Sequence, residues 1–188
     1  MFDYGRDIFD RANVHCYLRT LVVVPAYKIR ISLDAVTQRS WSAFGTIPTD
    51  EGGAASPLEF LWDDGNVNFI SHSRDEITFT DEGLAICELL NRHDTHTQTL
   101  MPMDCDGFVV VAPAEVDFSK PEHFEAIRAF VLPHHSVVHL RRGTWHWGPY
   151  PVSAQSIRLF NIQGTGYTKD NGIAWLGRDH DTHIEVGL

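Results

Sequence analysis

Positive charge is scarce in this sequence. Only three of its 188 residues are lysines, and 25 Asp and Glu residues outnumber 15 Lys and Arg residues, which gives a formal net charge of -10. A protein that binds the backbone of a nucleic acid needs clustered positive charge to displace counterions. We therefore expect no nucleic-acid partner and a small polar substrate instead.

Cysteines and long apolar runs are also scarce. Cys16, Cys87 and Cys105 are odd in number and lack the C-x-x-C spacing, which argues against a disulfide framework and against a thiolate zinc cage. No stretch approaches the roughly 18 consecutive apolar residues of a membrane span, and Asp3 and Arg6 are not typical of a signal peptide. The sequence predicts a protein of the reducing cytoplasm that is neither exported nor inserted in a membrane.

Short strand patterns recur along most of the chain. Tyr27-Lys-Ile-Arg-Ile-Ser-Leu33 alternates polar with apolar residues, and later apolar segments are bounded by Gly, Pro, Asp or Asn. These later candidates are residues 59–62, 66–72, 85–90, 97–101, 107–112, 129–132, 136–140 and 158–163. Their spacing predicts an all-β sandwich or barrel. A capping-box pattern, Ser119-Lys-Pro-Glu122, predicts a short surface helix, so we expect an all-β fold with one or two short helices.

The length of the chain favours one domain. With 43% hydrophobic residues, 188 residues are better explained by one core with extensions than by two cores. Residues 27–188 are predicted to form the β-barrel domain. Residues 1–26 are predicted to be an N-terminal extension, and an added strand, an arm to a partner subunit and a loose tail all remain open for it. Its apolar residues 17–24 favour pairing across subunits.

Two segments carry candidate metal ligands. His96 and Gln98 lie two residues apart and would share one face of a strand. In His139-Leu-Arg-Arg-Gly-Thr-Trp-His146 the glycine permits a tight turn that brings His146 back after a strand. Imidazole suits Zn, Ni, Cu and Fe, and a carboxamide oxygen can supplement it, so His96, Gln98 and His146 are predicted to bind one divalent metal. The plainer interpretation is that some of the 11 histidines fall at these positions by chance.

Three groups of residues follow one another in a recognisable order: Trp41-Ser-Ala-Phe-Gly45; then Arg92-His93, Thr97-Gln98, Pro102-Met103 and Phe108-Val-Val-Val-Ala-Pro113; then Ile127-Arg-Ala-Phe130, Val138 and Arg142-Gly-Thr-Trp-His146. In order and spacing they resemble the ureidoglycolate lyase family, over about residues 27 to 165. The resemblance implies a cupin-type, jelly-roll-like β-barrel, a homodimer and a divalent metal, often nickel, with zinc, manganese or iron as alternatives. It also implies cleavage of ureidoglycolate to glyoxylate and urea in allantoin catabolism.

The chain departs from the family pattern beside these motifs. Asn91 stands where the family usually has Glu, and Asp94 where it has Pro. The family's Tyr-His-Arg is Leu140-Arg141-Arg142 here, its Trp-His-His is Trp145-His146-Trp147, and Arg158 stands where an acidic residue is usual. These departures concern the substrate more than the fold, so a related small carboxylate is the alternative substrate.

The resemblance and the residue types together suggest roles. Arg142 and the metal would hold the substrate carboxylate, because a planar guanidinium matches a carboxylate. His139, or water activated by the metal, would remove the hydroxyl proton. The predicted catalytic residues are His93, His139, Arg141 and Arg142, and the predicted substrate-binding residues are Arg92, Arg142, Trp145 and Arg158.

Two other functions remain open. One is a different metal-dependent reaction on the same barrel, such as dioxygenation or isomerisation, because a fold does not dictate its chemistry. The other is binding of a small molecule without turnover. His180 and His183 lie near the C terminus, where an exposed tail is expected, and they are left out of the predicted site.

Overall fold

The computed structural model describes residues 27–49, 57–62 and 64–188. The expectation of an all-β, cupin-like fold with short helices is confirmed. The predicted pairing of residues 17–24 lies outside the described residues. The strands are β1 (Tyr27–Ala35), β2 (Gly45–Thr46), β3 (Gly65–Ser73), β4 (Thr78–Phe79), β5 (Ala85–Cys87), β6 (Leu89–Arg92), β7 (Gln98–Pro102), β8 (Gly107–Ala112), β9 (Arg128–Leu132), β10 (Val138–Leu140), β11 (Trp145–Pro151), β12 (Ser156–Gly164), β13 (Gly172–Trp175) and β14 (Thr182–Gly187).

Helical segments are few and short in the part of the chain that the structure describes. The α-helices are α1 (Gln38–Trp41) and α2 (Leu176–His180), and 3-10 turns occur at Arg74–Glu76 and Pro121–Ala126. Within the described ranges, no helix has both the length and the apolar character needed to cross a bilayer.

Two sheets form the body of the fold. The larger has nine strands in the order β13-β6-β11-β8-β9-β1-β14-β5-β4, and the smaller has five in the order β2-β10-β7-β12-β3. β1 joins two arms of the larger sheet, since it pairs in parallel first with β14 and then with β9. One hydrophobic core combines residues of both arms, such as Val110 and Ile184, so the larger sheet curls over its own face.

A second core lies between the two sheets. β8 is buried along its whole length, and its side chains alternate between the cores, with Val110 in the first and Val109 and Val111 in the second. A continuous apolar run is expected for a strand that is covered on both faces. Leu100 of β7 and Leu140 of β10 contribute to the second core from the smaller sheet. A polar cavity adjoins this core at Leu140.

Two segments differ from the sequence-based expectation in their pairing. The strand predicted at residues 59–62 is reduced to a single bridge between Phe60 and His96. The prediction of an exposed tail at the C terminus is wrong, because β14 lies between β1 and β5 in the larger sheet. His183 is consequently buried.

The short surface helix predicted from residues 119–122 differs from the prediction in its type and in its cap. It forms as the 3-10 turn Pro121–Ala126, and its N-cap is Lys120, which makes no capping hydrogen bond through its side chain. The backbone N–H of Ser119 donates to the carboxylate of Asp117 at 3.1 Å. The capping box expected from Ser119 therefore does not form.

Candidate metal and substrate site

A small cavity collects polar residues from both sheets. Its volume is about 10 Å³, which is room for one water molecule or one metal ion. The structure places here all three predicted metal ligands and His93, which was predicted to be catalytic. The wall consists of His93, His96, Gln98, Leu140, Arg141, Thr144 and His146.

Strand pairing explains how ligands from two sheets meet. Gln98 begins β7 and faces the same side as Leu100, which packs in the core between the sheets. His146 lies directly opposite Val111 of β8, a residue of that same core. Gln98 and His146 therefore approach the cavity from the smaller and the larger sheet.

His93 and His96 come from the turn that follows β6. Asn91 of β6 pairs with His146, so the end of β6 lies beside the histidine of β11. The N–H of Gly143 donates to the carbonyl oxygen of His93 at 2.7 Å and ties this turn to the turn between β10 and β11. Gly143 has a φ of 77°. Glycine adopts this left-handed conformation without strain, which agrees with the tight turn predicted there.

All three histidines are buried and close to one another. Their relative exposures are 8% for His93, 1% for His96 and 8% for His146. The ring centroid of His93 lies 4.5 Å from that of His96 and 5.3 Å from that of His146. Burial, assisted by the neighbouring His93, lowers the pKa of His146 to about 4. His146 is therefore neutral near pH 7, the form of imidazole that binds metals.

Backbone carbonyl groups set the tautomers of two of these rings. His93 Nδ1 lies 2.6 Å from the carbonyl oxygen of Asp170, and His146 Nδ1 lies 3.1 Å from that of Thr144. A carbonyl oxygen can only accept a hydrogen bond, so each Nδ1 carries the proton. In a neutral ring with this tautomer Nε2 carries the lone pair, as in metal-binding histidines whose other nitrogen is held by a carbonyl.

Gln98 supplies a fourth donor atom. Its Nε2 donates to Asn161 Oδ1 at 2.9 Å and to Gln163 Oε1 at 3.1 Å. Its Oε1 is buried and has no hydrogen-bond partner among the described residues. Leaving such an oxygen without a partner costs about 1–3 kcal/mol. Imidazole rings beside one carboxamide oxygen fit a divalent transition metal, so the residues present suit the implied group.

Asp170 is a site residue that the sequence analysis missed. Its carboxylate accepts hydrogen bonds from Asp94 N at 3.1 Å, from Thr95 N at 2.7 Å and from the Thr95 hydroxyl, and its Oδ2 lies 3.5 Å from His96 Nδ1. Burial opposes ionisation of Asp170, but these hydrogen bonds outweigh it and lower the pKa. One ligand atom from each of His93, His96 and Asp170 lies within 4.8 Å of the others, close enough to hold a metal ion.

Two predicted site residues lie on the opposite face of the smaller sheet. His139 pairs with Thr99, and its Nδ1 lies 2.8 Å from Thr99 Oγ1, whereas the alternating residue Leu140 faces the cavity. The guanidinium of Arg158 lies 4.1 Å from the ring of Phe69, which is 52% exposed on the outer face. The structure therefore does not bring His139 or Arg158 to the cavity.

Arg92 and Trp145 form a wall beside the site. Arg92 donates to Asp94 Oδ2 through Nε at 3.2 Å and Nη2 at 3.0 Å, and its guanidinium lies 4.6 Å from the Trp145 ring. Trp145 Nε1 donates to the carbonyl oxygen of Val116 at 3.2 Å. Both side chains, predicted to bind substrate, are engaged with other protein groups and line neither the small cavity nor the larger pocket beside it.

The other two arginines of the predicted site, Arg141 and Arg142, lie in different places. Arg141 lines the small cavity, and its guanidinium donates to the carbonyl oxygen of Ser42. Arg142 lines neither the small cavity nor the larger pocket, and its Nε donates to Glu59 Oε2, so its guanidinium already holds a carboxylate. Both groups of this ion pair are 38% exposed.

A larger pocket of about 400 Å³ shares His93 and His146 with the small cavity. This volume is typical of small-molecule sites. None of the described residues that line the pocket is Asp, Glu, Lys or Arg. Burial raises the pKa of Tyr150 to about 12, so its hydroxyl stays protonated. The other lining residues are His72, Asn91, Trp147, Gly148, Tyr167, Thr168 and Asn171.

A cavity of similar volume, about 420 Å³, lies between β1 and the segment around residues 118–124. Its described lining residues are mainly apolar, among them Ile29, Phe118 and Phe124, and include none of the three clustered histidines. The larger pocket that contains His93 and His146 is therefore the candidate substrate site.

A family model described as ureidoglycolate lyase matches residues 65–180, more than half of the chain. The matched range contains both histidine-bearing turns, Gln98 and Asp170. A search of curated proteins finds no match. The match agrees with the resemblance seen in the sequence and makes the chain an enzyme of the lyase class.

Proposed function

Because the chain belongs to the ureidoglycolate lyase family, we propose that it cleaves ureidoglycolate, or a closely related small carboxylate, between carbon and nitrogen with the help of a divalent metal. One observation carries the proposal. A small cavity lined by buried histidines and a larger pocket with no Asp, Glu, Lys or Arg among its described lining residues share His93 and His146. A metal ion and a substrate would thus lie side by side.

Three imidazoles and one amide would hold the metal. His93 and His146 offer Nε2 lone pairs, His96 lies against His93, and Gln98 offers Oε1. When bound, a divalent cation supplies a Lewis acid that polarises substrate oxygens. Nickel is the first choice through the family resemblance, and zinc, manganese and iron are the alternatives.

The larger pocket favours a neutral group at the far end of the substrate. Asn171 Nδ2 donates to Asn91 Oδ1 at 3.2 Å, which leaves further donors and acceptors on both amides for a ligand. Thr168 and Tyr150 add hydroxyl groups. A ureido group has N–H donors and a carbonyl acceptor, so it matches these walls. A second carboxylate would find no Lys or Arg among the described lining residues.

The proposed reaction needs one proton to move. The carbinol hydroxyl loses its proton, a carbonyl group forms on that carbon, and the ureido nitrogen leaves and gains a proton. His139, predicted from the sequence to take this proton, faces away from both cavities. The group that moves the proton is therefore to be sought among the residues of the larger pocket.

Urea release tests the proposal directly. We expect the purified protein, loaded in turn with nickel, zinc, manganese and iron, to release urea from ureidoglycolate above the spontaneous background with at least one metal. No urea with any of the four would reject this reaction.

A variant tests the metal site independently of turnover. His146→Ala should lose stoichiometric metal in protein prepared without a His tag, as measured by metal analysis. His134→Ala is the control, since His134 is exposed and lines neither cavity. Full metal content in His146→Ala would reject the ligand set.

A further inference from the structure

His72, which lines the larger pocket, forms a hydrogen-bonded pair with Glu76 behind it. His72 Nδ1 lies 3.0 Å from Glu76 Oε2, and His72 lines the pocket together with His93 and His146. We propose that His72 is the general base that takes the carbinol proton and returns it to the leaving nitrogen, with Glu76 as its orienting partner. This inference rests on the proposed function, whose reaction requires such a group.

The strand register points His72 inward. His72 pairs with Ile157 of β12, which is fully buried, so both side chains lie on the inner face of the smaller sheet. The ring centroid of His72 lies 5.1 Å from that of Tyr150 on β11. The side chain of His72 remains 28% exposed, so a ligand in the pocket can reach it.

Glu76 is fixed by the backbone and presents one oxygen to His72. Its Oε1 accepts the N–H of Ser73 at 2.7 Å as part of a capping box at the start of the turn Arg74–Glu76. Burial opposes ionisation of Glu76, but the hydrogen bonds from His72 and Ser73 outweigh it and lower the pKa. An ionised carboxylate only accepts hydrogen bonds, so His72 Nδ1 donates to Glu76, and in the neutral form of the ring Nε2 then carries the lone pair. Histidines that act as bases beside a carboxylate have this arrangement.

The proton balance closes within the pocket. His72 Nε2 takes the hydroxyl proton, and the electron pair of that O–H bond forms the carbonyl group of the glyoxylate product. The carbon–nitrogen bond breaks with its electrons on nitrogen, and the imidazolium of His72 returns the proton to that nitrogen. Urea leaves, His72 is restored, and no oxidant or reductant is needed.

Replacing His72 tests this role in the metal-loaded full chain. His72→Asn should lower kcat by about 100- to 10,000-fold, the usual contribution of a general base, with metal content, KM and Tm near those of the wild type. His72→Ala should recover part of its turnover when imidazole is added, which loss of a structural contact would not allow. His134→Asn is the matched control, because His134 Nδ1 lies 3.1 Å from Asp106 Oδ1 in a similar pair that lines neither cavity.

Glu76→Gln tests the orienting role with little change in shape. The amide oxygen of Gln can still accept from Ser73 N, but its NH₂ group would face His72 Nδ1 and favour the opposite tautomer. We expect kcat to fall at least about tenfold while Tm stays unchanged. Wild-type turnover in His72→Asn would overturn the role of His72 and leave the lyase reaction standing. A wild-type protein that releases no urea would overturn the proposed function and this role with it.

Discussion

A hydrogen bond between Gln98 and Asn161 decides which atom of Gln98 is available to the cavity. Gln98 Nε2 donates to Asn161 Oδ1 at 2.9 Å, and Asn161 Nδ2 donates in turn to Asn68 Oδ1 at 2.8 Å. Asn161 is fully buried and uses both ends of its amide, so reversing it would break both bonds. This chain of amides across β7, β12 and β3 keeps Gln98 Oε1 as the acceptor at the cavity.

Removal of that oxygen should weaken metal binding. We expect Gln98→Leu to lower the affinity for the divalent metal by about 10- to 100-fold, because an amide oxygen is lost while the histidines remain. Competition with a chelator measures the change. Gln155→Leu, at an exposed position, is the control and should bind as the wild type does. Unchanged affinity in Gln98→Leu would exclude Gln98 as a ligand.

Much of the fold was predictable because burial imposes a simple pattern. β8 coincides with the apolar run predicted at residues 107–112, since a strand covered on both faces needs apolar residues throughout. The sequence also predicted that His96, Gln98 and His146 come together at one site, and all three line the small cavity. The predicted shared strand is only partly present, because β7 begins at Gln98 and His96 makes a single bridge to Phe60.

The prediction that His139 belongs to the site is wrong about which face of β10 turns toward the cavity, although the sequence contains a signal for that face. Period two places His139 and Arg141 together, but only packing tells which face turns inward. Val138 and Leu140 alternate with His139 and belong to the core between the sheets. Their apolar character indicates that His139 points to the face of β10 opposite that core, where the side chain is nevertheless buried.

Asp170 had no comparable signal. It lies in Lys-Asp-Asn-Gly, residues 169–172, a composition typical of a turn. Its partners Asp94 and Thr95 are 76 and 75 residues away in the chain. Contacts of that kind depend on the tertiary fold, which local periodicity does not encode.

A charge placed in the larger pocket should impair substrate binding. Asn171→Asp removes the donor to Asn91 and adds a negative charge beside a substrate that itself carries a carboxylate. We expect KM for ureidoglycolate to rise about 10-fold or more, with metal content unchanged. Ser153→Asp adds the same charge at an exposed turn and should leave KM unaltered. Equal KM values for Asn171→Asp and the wild type would show that the substrate does not bind in this pocket.

We expect the full chain to be a homodimer in solution. The expectation rests on the family resemblance and on the apolar residues 17–24, which lie outside the described residues. Light scattering over a range of concentrations should give twice the mass of one chain. A concentration-independent mass of one chain would contradict it.

Glu185 should make stability depend on pH in the acid range. It is 1% exposed and accepts from Arg30 Nε at 2.7 Å and from His183 Nε2 at 3.1 Å. Burial opposes its ionisation, but these bonds outweigh burial and lower the pKa below its ordinary value of 4.5. Stability from a carboxylate with a lowered pKa is present above the unfolded pKa and is lost as pH falls through the folded pKa.

Glu185→Gln measures this contribution. At pH 7 we expect the variant to be less stable by about 2 kcal/mol, because charged hydrogen bonds to a buried group are lost. The difference from the wild type should shrink below pH 4.5 as the wild-type carboxyl becomes protonated. Urea unfolding at several pH values tests this, with the exposed Glu115→Gln as control. A difference that stays constant from pH 7 to pH 3 would contradict the linkage.

The ion pair of Arg142 and Glu59 should compete with the substrate carboxylate. Each partner is 38% exposed, and ion pairs of such exposure contribute about 0–1 kcal/mol, so a substrate can displace Glu59 at little cost. If Arg142 then holds that carboxylate, Glu59→Gln should lower KM by about two- to fivefold, because the substrate no longer competes with the Glu59 carboxylate for Arg142.

Arg142→Lys should lower kcat/KM by more than about tenfold, because an ammonium cannot make the two parallel bonds of a guanidinium and the reacting carbon loses its alignment. Steady-state kinetics of Glu59→Gln and Arg142→Lys test whether Arg142 binds the substrate carboxylate. Wild-type kinetics in both would show that the pair only joins residues 57–62 to the turn before β11, and would leave the metal and the larger pocket as the whole of the substrate site.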